Sequence, residues 1–171
     1  MVLDLTEDPA SRYNSPMTAP AARGPWTEGN DELGQAYITF TVVNSFDLDR
    51  QLLGELADGD VRSISFEDAL MDTGATHLCL PPGAVAALGL TYDRSVLVET
   101  AQGVGERRIF RNAQVRFEDR KAEVEVIELA DGVRPLLGAL PMEALGVEPD
   151  LVLRKPRKLG TEPGRSHIMV F

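Results

Sequence analysis

The clearest candidate for chemistry in this sequence is the stretch at residues 69–76, Ala-Leu-Met-Asp-Thr-Gly-Ala-Thr. Apolar residues lead directly into Asp72, and the Thr73-Gly74 pair after it predicts a tight turn. A strand that ends this way fixes a carboxylate at its tip, where the carboxylate can exchange a proton with water or a carbonyl group. Gly74 leaves room for substrate or backbone to approach, and the Thr73 hydroxyl can bond neighbouring backbone.

Asp-Thr-Gly alone also fits a structural turn, in which Asp72 would bond only its own backbone. The surroundings favour catalysis over that alternative. A short helix is predicted at residues 82–88, and a Pro-Leu-Leu-Gly segment at 135–138 leads into a second short helix at 141–145. Both helices begin with proline and are followed by glycine, at Gly89 and Gly146, where a left-handed cap is expected.

Other reactive side chains are less informative. Cys79 lies between two leucines and is expected to be a small buried residue rather than a nucleophile. His77 and His167 are too few and too far apart for a metal site, so no metal or cofactor is expected, although His77 can line a cleft near the turn. The Gly-Val-Gly segment at 103–105 lacks the lysine and the strand-to-helix setting of a phosphate-binding loop.

The elements that must position the carboxylate are predicted to be mostly β-strands, because apolar and polar residues alternate along them. Residues 37–43 predict a half-buried strand with Ile38, Phe40 and Val42 inward. Further strands are predicted at residues 61–71, 95–100, 107–117 and 122–129. Short strands at this spacing predict an all-β sandwich or barrel interrupted by one or two short helices.

Composition narrows the classes of partner. The formal charge of −10 argues against nucleic acid or an anionic membrane, since each needs a basic face. The single cysteine rules out an intrachain disulfide. The start of the sequence shows no signal peptide and no apolar run reaches the roughly 20 residues that cross a bilayer, so a cytoplasmic location is expected.

The two ends of the sequence differ from its middle. Residues 1–35 carry recurring prolines among small and acidic residues, which predicts a flexible arm. Residues 156–171 follow a basic cluster and are predicted to be a tail. The folded unit is therefore expected at residues 36–155.

The order of these segments resembles the retropepsin-like aspartic proteases, including the bacterial single-domain branch. The resemblance covers residues 36–155 and is most specific at residues 70–80. It implies a closed β-barrel or sandwich of short antiparallel strands with a flap hairpin. It also implies that Asp72 is the catalytic carboxylate and that Thr73, Gly74 and Ala75 support the active-site loop. The substrate-binding flap would comprise Ala101, Gln102, Gly103, Val104 and Gly105.

The same resemblance implies a homodimer that cleaves peptides, because the chain carries one Asp-Thr-Gly and the reaction needs two carboxylates. The sequence departs from the viral enzymes in three places. Ala139 stands where they place an arginine, the flap has only two glycines, and residues 44–60 make a longer first connection. The alternative is a catalytically silent module of the same fold that dimerises or binds peptides.

Overall fold

The computed structural model describes residues 34–100 and 103–160. Within these ranges the strands and helices, in chain order, are β1 (Ala36–Asn44), α1 (Ser45–Leu52), β2 (Ser63–Met71), β3 (Leu78–Leu80), α2 (Pro82–Leu88), β4 (Thr91–Thr100), β5 (Gly103–Phe117), β6 (Arg120–Glu128), β7 (Leu136–Leu137), α3 (Ala139–Leu145), β8 (Val147–Asp150) and β9 (Lys155–Lys158). A single 3-10 turn at Asp58–Asp60 lies between α1 and β2. None of the helices in these ranges is both long and apolar enough to cross a membrane.

Seven strands form one sheet that closes on itself. Its order is β1-β2-β7-β3-β6-β5-β4, and β1 also pairs with β5. That extra pairing joins residues 41–44 of β1 to residues 113–116 of β5, so six strands make a closed barrel while the first part of β5 pairs with β4. Closure removes exposed strand edges around most of the barrel. The predicted all-β barrel is therefore confirmed.

The strand order places a late segment of the chain between two early ones. β7 pairs in parallel with β2 and antiparallel with β3, although β2 and β3 are consecutive in the sequence. The connection between β2 and β3, residues 72–77, must therefore pass across the end of β7. This crossing is what positions the Asp-Thr-Gly turn.

The alternating apolar residues of β1 lie in the interior of the barrel. Ile38, Phe40 and Val42 are buried, as predicted, with Phe40 packed against Phe66 of β2 at a ring-centroid distance of 5.5 Å. Burial of large apolar side chains such as these contributes roughly 1.5–3 kcal/mol each. The rest of the core comes mainly from inward residues of β2, β3 and β5 and from the inward faces of α2 and α3.

Both predicted helix caps are confirmed. α2 ends at Gly89, with φ 59° and ψ 40°, and α3 ends at Gly146, with φ 61° and ψ 47°. These are left-handed conformations that glycine adopts without a Cβ clash. α3 begins at Ala139, two residues before the predicted start, because Gly138 is its N-cap residue.

Two expectations about extent need correction, and a third falls almost wholly outside the described residues. The long first connection contains the helix α1, which begins after Asn44 because the Asn44 side chain accepts a hydrogen bond from the Asp47 N–H. The predicted tail starts too early, because Lys155–Lys158 form β9, paired with β8. The predicted arm lies outside the described residues except for its last two positions.

The predicted flap is a longer hairpin than expected. β4 and β5 pair from Thr91 with Arg111 up to Thr100 with Gly103. Residues 101 and 102, which follow Thr100 in the sequence, lie outside the described residues. Gly103, Val104 and Gly105, expected in the tip, lie in β5 because they continue the ladder opposite residues 98–100.

An ion pair between the buried Asp47 and the exposed Arg62 fixes α1 to the start of β2. Asp47 is 1% exposed and accepts hydrogen bonds from the Arg62 guanidinium at 2.6 and 2.7 Å and from the Arg62 N–H at 3.1 Å. The Arg62 hydrogen bond holds the pKa of Asp47 below its usual value, although burial opposes the shift. The neighbouring Asn44 donates to the carbonyls of Leu88 and Gly89, which ties the same corner to α2.

Asp47→Asn is expected to lower the free energy of unfolding at pH 7 by about 2 to 3 kcal/mol, since it removes charge-assisted hydrogen bonds to a buried group. The pKa of Asp47 is lower in the folded than in the unfolded protein. The stabilisation is therefore complete well above the unfolded value of about 3.9 and is lost as pH falls through the folded pKa. Urea unfolding at pH 7 and pH 3 measures this.

The matched control for that experiment is Asp49→Asn, on an exposed position of the same helix. We expect the control to match the wild type at both pH values. The Asp47 variant should differ strongly at pH 7 and much less at pH 3. An equal deficit at both pH values would show that the carboxylate charge does not contribute.

Candidate active site

Asp72 follows the last residue of β2 and is held by main-chain groups. Its N–H donates to the Leu137 carbonyl at 3.1 Å, which extends the β2–β7 ladder by one step. Its Oδ1 accepts a hydrogen bond from the Gly74 N–H at 2.8 Å, and its carbonyl accepts one from the Ala75 N–H at 3.2 Å. The carboxylate is thus fixed in a turn that any backbone shift of β7 would disturb.

The four predicted loop residues lie together in this turn. Asp72 and Ala75 are half-buried, while Thr73 and Gly74 are exposed. A Cβ on Gly74 would lie 3.1 Å from Asp72 Oδ1, which is a tight contact beside the carboxylate. Glycine at this position therefore keeps the space next to the acid open.

The second half of the loop is fastened to the start of α3. The Ala75 and Thr76 carbonyls accept hydrogen bonds from the N–H groups of Ala139 and Leu140 at 2.8 and 3.0 Å. The N–H of Gly138 donates to the His77 carbonyl at 3.1 Å. The first turn of α3 has orphan N–H groups, and here the loop carbonyls satisfy them.

Gly138 is the point of closest approach between these two segments. A Cβ there would lie 2.4 Å from the His77 carbonyl oxygen, 2.6 Å from the Ala75 carbonyl oxygen and 2.8 Å from the His77 nitrogen. All three atoms are backbone, so no side chain can rotate to make room. The backbone of Gly138, at φ −82°, is open to any residue, which means that the requirement for glycine is purely one of space.

Cys79 lies just beyond the loop on β3 and is 6% exposed. Burial raises the pKa of its thiol to about 12, and the negative charge of Asp72 adds to the rise. A thiol with such a pKa is almost entirely protonated at neutral pH and is a poor nucleophile. This agrees with the prediction of a small buried residue.

We therefore expect Cys79 in the native protein to resist alkylation by iodoacetamide at pH 8 and to react fully once the protein is unfolded in guanidinium chloride. Intact-mass spectrometry counts the added groups in each state. Because the sequence has a single cysteine, the assay needs no mapping. Rapid labelling of the native protein would contradict both the burial and the raised pKa.

His77 connects the loop to the hairpin. Its Nε2 lies 3.6 Å from Oε2 of Glu125 on β6, and Arg94 of β4 makes two hydrogen bonds of 2.8 Å to the same carboxylate. The Arg94 hydrogen bonds hold the pKa of Glu125 below its usual value. His77 and Glu125 line a cleft of about 380 Å³ together with Leu140.

The residues predicted for the flap are not all brought to the loop. Ala101 and Gln102 lie outside the described residues, and Gly103, Val104 and Gly105 lie at the far end of the β4–β5 hairpin. In the described part of the chain, the hairpin and the loop are linked through Arg94 and Glu125, at the base of the hairpin. No group of three or more His, Cys, Asp or Glu side chains in the described residues is placed to hold a metal ion.

Two contributors to this site were not assigned roles from the sequence. Leu137 supplies the carbonyl that receives the Asp72 N–H, and Gly138 provides the close approach. Their signal was the Leu-Leu-Gly segment itself, in which an apolar pair followed by glycine marks a buried strand end beside a tight contact. The Arg94–Glu125–His77 contact joins three distant segments and carries no local signal.

Comparison with known proteins places the turn inside a recognised family. The sequence model of the family described as aspartyl protease matches residues 57–144, more than half of the chain. The match includes β2, the Asp-Thr-Gly turn, the hairpin, β7 and nearly all of α3. No individually curated protein matches the chain with significance.

Proposed function

This chain belongs to the aspartyl protease family, with a retropepsin-like fold, and from that premise we propose that it is a homodimeric aspartic endopeptidase whose catalytic carboxylates are Asp72 of each subunit. The observation that carries the proposal is the position of Asp72. Its carboxylate ends a strand, accepts a hydrogen bond from the Gly74 N–H at 2.8 Å, and lies beside exposed residues of the turn.

The chemistry requires a second carboxylate. One carboxylate removes a proton from the attacking water while a second acid polarises the carbonyl of the peptide bond. The sequence contains a single Asp-Thr-Gly, and a two-fold axis is the simplest source of the second. Two carboxylates about 3 Å apart cannot both ionise cheaply, so the pair holds one proton and offers a base and an acid together.

The other residues of the turn then have supporting roles. Thr73 is exposed next to Asp72 and would face its counterpart across the axis, where its hydroxyl can bond the partner's loop. Gly74 and Ala75 would form the floor on which the substrate backbone lies. A side chain at Gly74 would crowd the Asp72 carboxylate, which supports this role.

The substrate would be a peptide in an extended conformation. The hairpin of β4 and β5, with residues 101–105 at its end, would cover it as a flap and contribute main-chain hydrogen bonds, as added strands do in peptide recognition. Arg94 and Glu125 would anchor the base of this flap to His77 and so to the catalytic loop. The net charge of −10 suits a protein that avoids nucleic acid and anionic membrane surfaces.

The test is cleavage of a diverse peptide library from pH 4 to 7 by the wild-type chain, with and without pepstatin, while sedimentation gives the assembly state. We expect cleavage by a dimer, inhibited by pepstatin, with an acidic to near-neutral optimum. A folded dimer that binds peptides and never cleaves them would instead establish the silent module. The intact Asp72-Thr73-Gly74 turn argues against that outcome.

A further inference from the structure

Three consecutive apolar side chains project from the turn between β8 and β9. Leu151, Val152 and Leu153 are 52%, 91% and 60% exposed, and this apolar tip is flanked by the charged residues Asp150 and Arg154. Single exposed apolar residues are common on protein surfaces, but three in succession at a hairpin tip are a concentrated apolar surface. A concentrated apolar surface of this kind is typical of a site that contacts another molecule.

The tip is ordered. Oδ1 of Asp150 accepts hydrogen bonds from the N–H groups of Val152 and Leu153 at 3.0 and 2.8 Å, which closes the turn around its own carboxylate. Arg154 completes the turn in a left-handed conformation, with φ 55°. A surface held in one conformation loses less conformational entropy when it binds. The turn therefore presents its apolar residues in a preorganised form.

The tip lies at the same end of the barrel as Asp72. The Arg154 carbonyl accepts a hydrogen bond from the Tyr37 N–H at 3.3 Å, and Tyr37 is paired with Leu70, two residues before Asp72. The guanidinium of Arg134, next to β7, stacks 4.9 Å from the centre of the Tyr37 ring. β5 pairs with β1 only from Thr41 onward, so the hairpin takes the edge that β1 leaves open near Asp72.

We propose that the apolar tip at residues 151–153 docks against a second copy of this chain and forms part of the interface that brings the two Asp72 carboxylates together. The inference rests on the proposed function, since that function makes the site incomplete without a second copy. An axis that passes between the two Asp72 side chains also brings together the surfaces around them, and an isologous contact uses the same patch on both subunits.

Two other strongly exposed apolar residues, at the end of α1, do not fit this interface. Leu52 and Leu53 are 85% and 73% exposed, but they end α1, which follows the Asn44 end of β1. Asp72 lies beyond Met71, which pairs with Ala36 at the opposite end. β1 spans nine residues, so the two ends are about 26 Å apart at a rise of about 3.3 Å per residue.

The first test compares Val152→Asp with Leu52→Asp, two substitutions of highly exposed apolar residues at opposite ends of the barrel. Val152→Asp is expected to raise the dimer dissociation constant by on the order of a hundredfold, because each dimer loses two buried side chains. Sedimentation equilibrium of the full chain measures it. Leu52→Asp should dimerise as the wild type does.

Activity measurements keep the two proposals separate. At low protein concentration Val152→Asp should lose peptide cleavage, and raising the concentration should restore it, since the catalytic turn is untouched. Wild-type dimerisation and cleavage that persist unchanged in Val152→Asp would overturn the interface and leave the protease standing. A dimer that depends on Val152 and never cleaves would support the interface and overturn the protease.

A second measurement does not depend on destabilising anything. Val152→Cys and Leu52→Cys each add one accessible thiol to a chain whose only other thiol, Cys79, is buried. With a short bis-maleimide linker, Val152→Cys is expected to give a covalent dimer and Leu52→Cys none. Equal crosslinking of both variants, or binding of a monomeric wild type to lipid vesicles through Val152, would overturn the proposal.

Discussion

Asp72→Asn is expected to abolish peptide cleavage, with a loss of at least about a thousandfold, because an amide cannot exchange the proton that general acid–base catalysis requires. The substitution keeps the size of the side chain, and its carbonyl oxygen can still accept the hydrogen bond from the Gly74 N–H. We therefore expect the fold and the thermal unfolding midpoint to change little. Initial rates on the best library peptide, together with circular dichroism, measure both properties.

The matched control is Asp68→Asn, an exposed carboxylate on the same strand. Asp68 has a positive φ of 54°, which asparagine also tolerates, so the control should fold and cleave normally. Cleavage at wild-type rates by the Asp72 variant would contradict the assignment of the catalytic carboxylate. Equal loss in both variants would indicate a general effect of charge instead.

Mixing the Asp72→Asn variant with wild type separates a shared site from two independent ones. When equal amounts exchange subunits freely, about a quarter of the dimers carry two intact carboxylates. Compared with wild type alone at the same total concentration, activity should fall to about a quarter if both carboxylates are needed. A fall to about half would mean that each subunit works alone, which would contradict the shared dyad.

The parts of the fold that were predictable from sequence are those with local signals. β1 was predicted because Ile38, Phe40 and Val42 alternate with polar residues, and the ends of α2 and α3 because glycine follows each one. α1 was missed even though Asn44 is a favoured cap residue, since its exposed surface carries Phe46 and Leu52 and blurs the helical period. The ion pair of the buried Asp47 with Arg62 explains why this helix is stable at this position.

The parts that were not predictable depend on distant pairings. β7 is only two residues long, and nothing in its own sequence says that it lies between β2 and β3. β4 is exposed at nearly every position, so it has no buried face from which its length could be inferred. In the candidate site, too, one part has a local sequence signal and another part depends on distant contacts. Asp-Thr-Gly predicted the candidate carboxylate, whereas the contacts that hold its loop come from residues 137–140, far along the chain.

Gly138→Ala is expected to have the second largest effect, and it tests those distant contacts directly. The new Cβ would lie 2.4 to 2.8 Å from three backbone atoms of Ala75 and His77, so the loop and the start of α3 must move apart. Overpacking of this kind costs typically 1–3 kcal/mol of stability. A shift of about 1 Å at catalytic groups can reduce activity about a hundredfold, and the Ala75 and Asp72 backbones are joined by a hydrogen bond.

The control for this variant is Gly59→Ala, since Gly59 is exposed, has nothing within 4 Å of the position of a Cβ and does not have a positive φ. It should leave stability and cleavage near wild-type values. Urea unfolding and initial rates at a fixed protein concentration compare the two variants. If Gly138→Ala loses stability and keeps full activity, the moved segment is α3 and the catalytic turn is held by β7 alone. If it folds well and loses cleavage, the space at Gly138 sets the position of Asp72, and the glycine of the Leu-Leu-Gly segment belongs to the catalytic machinery as a positioning residue.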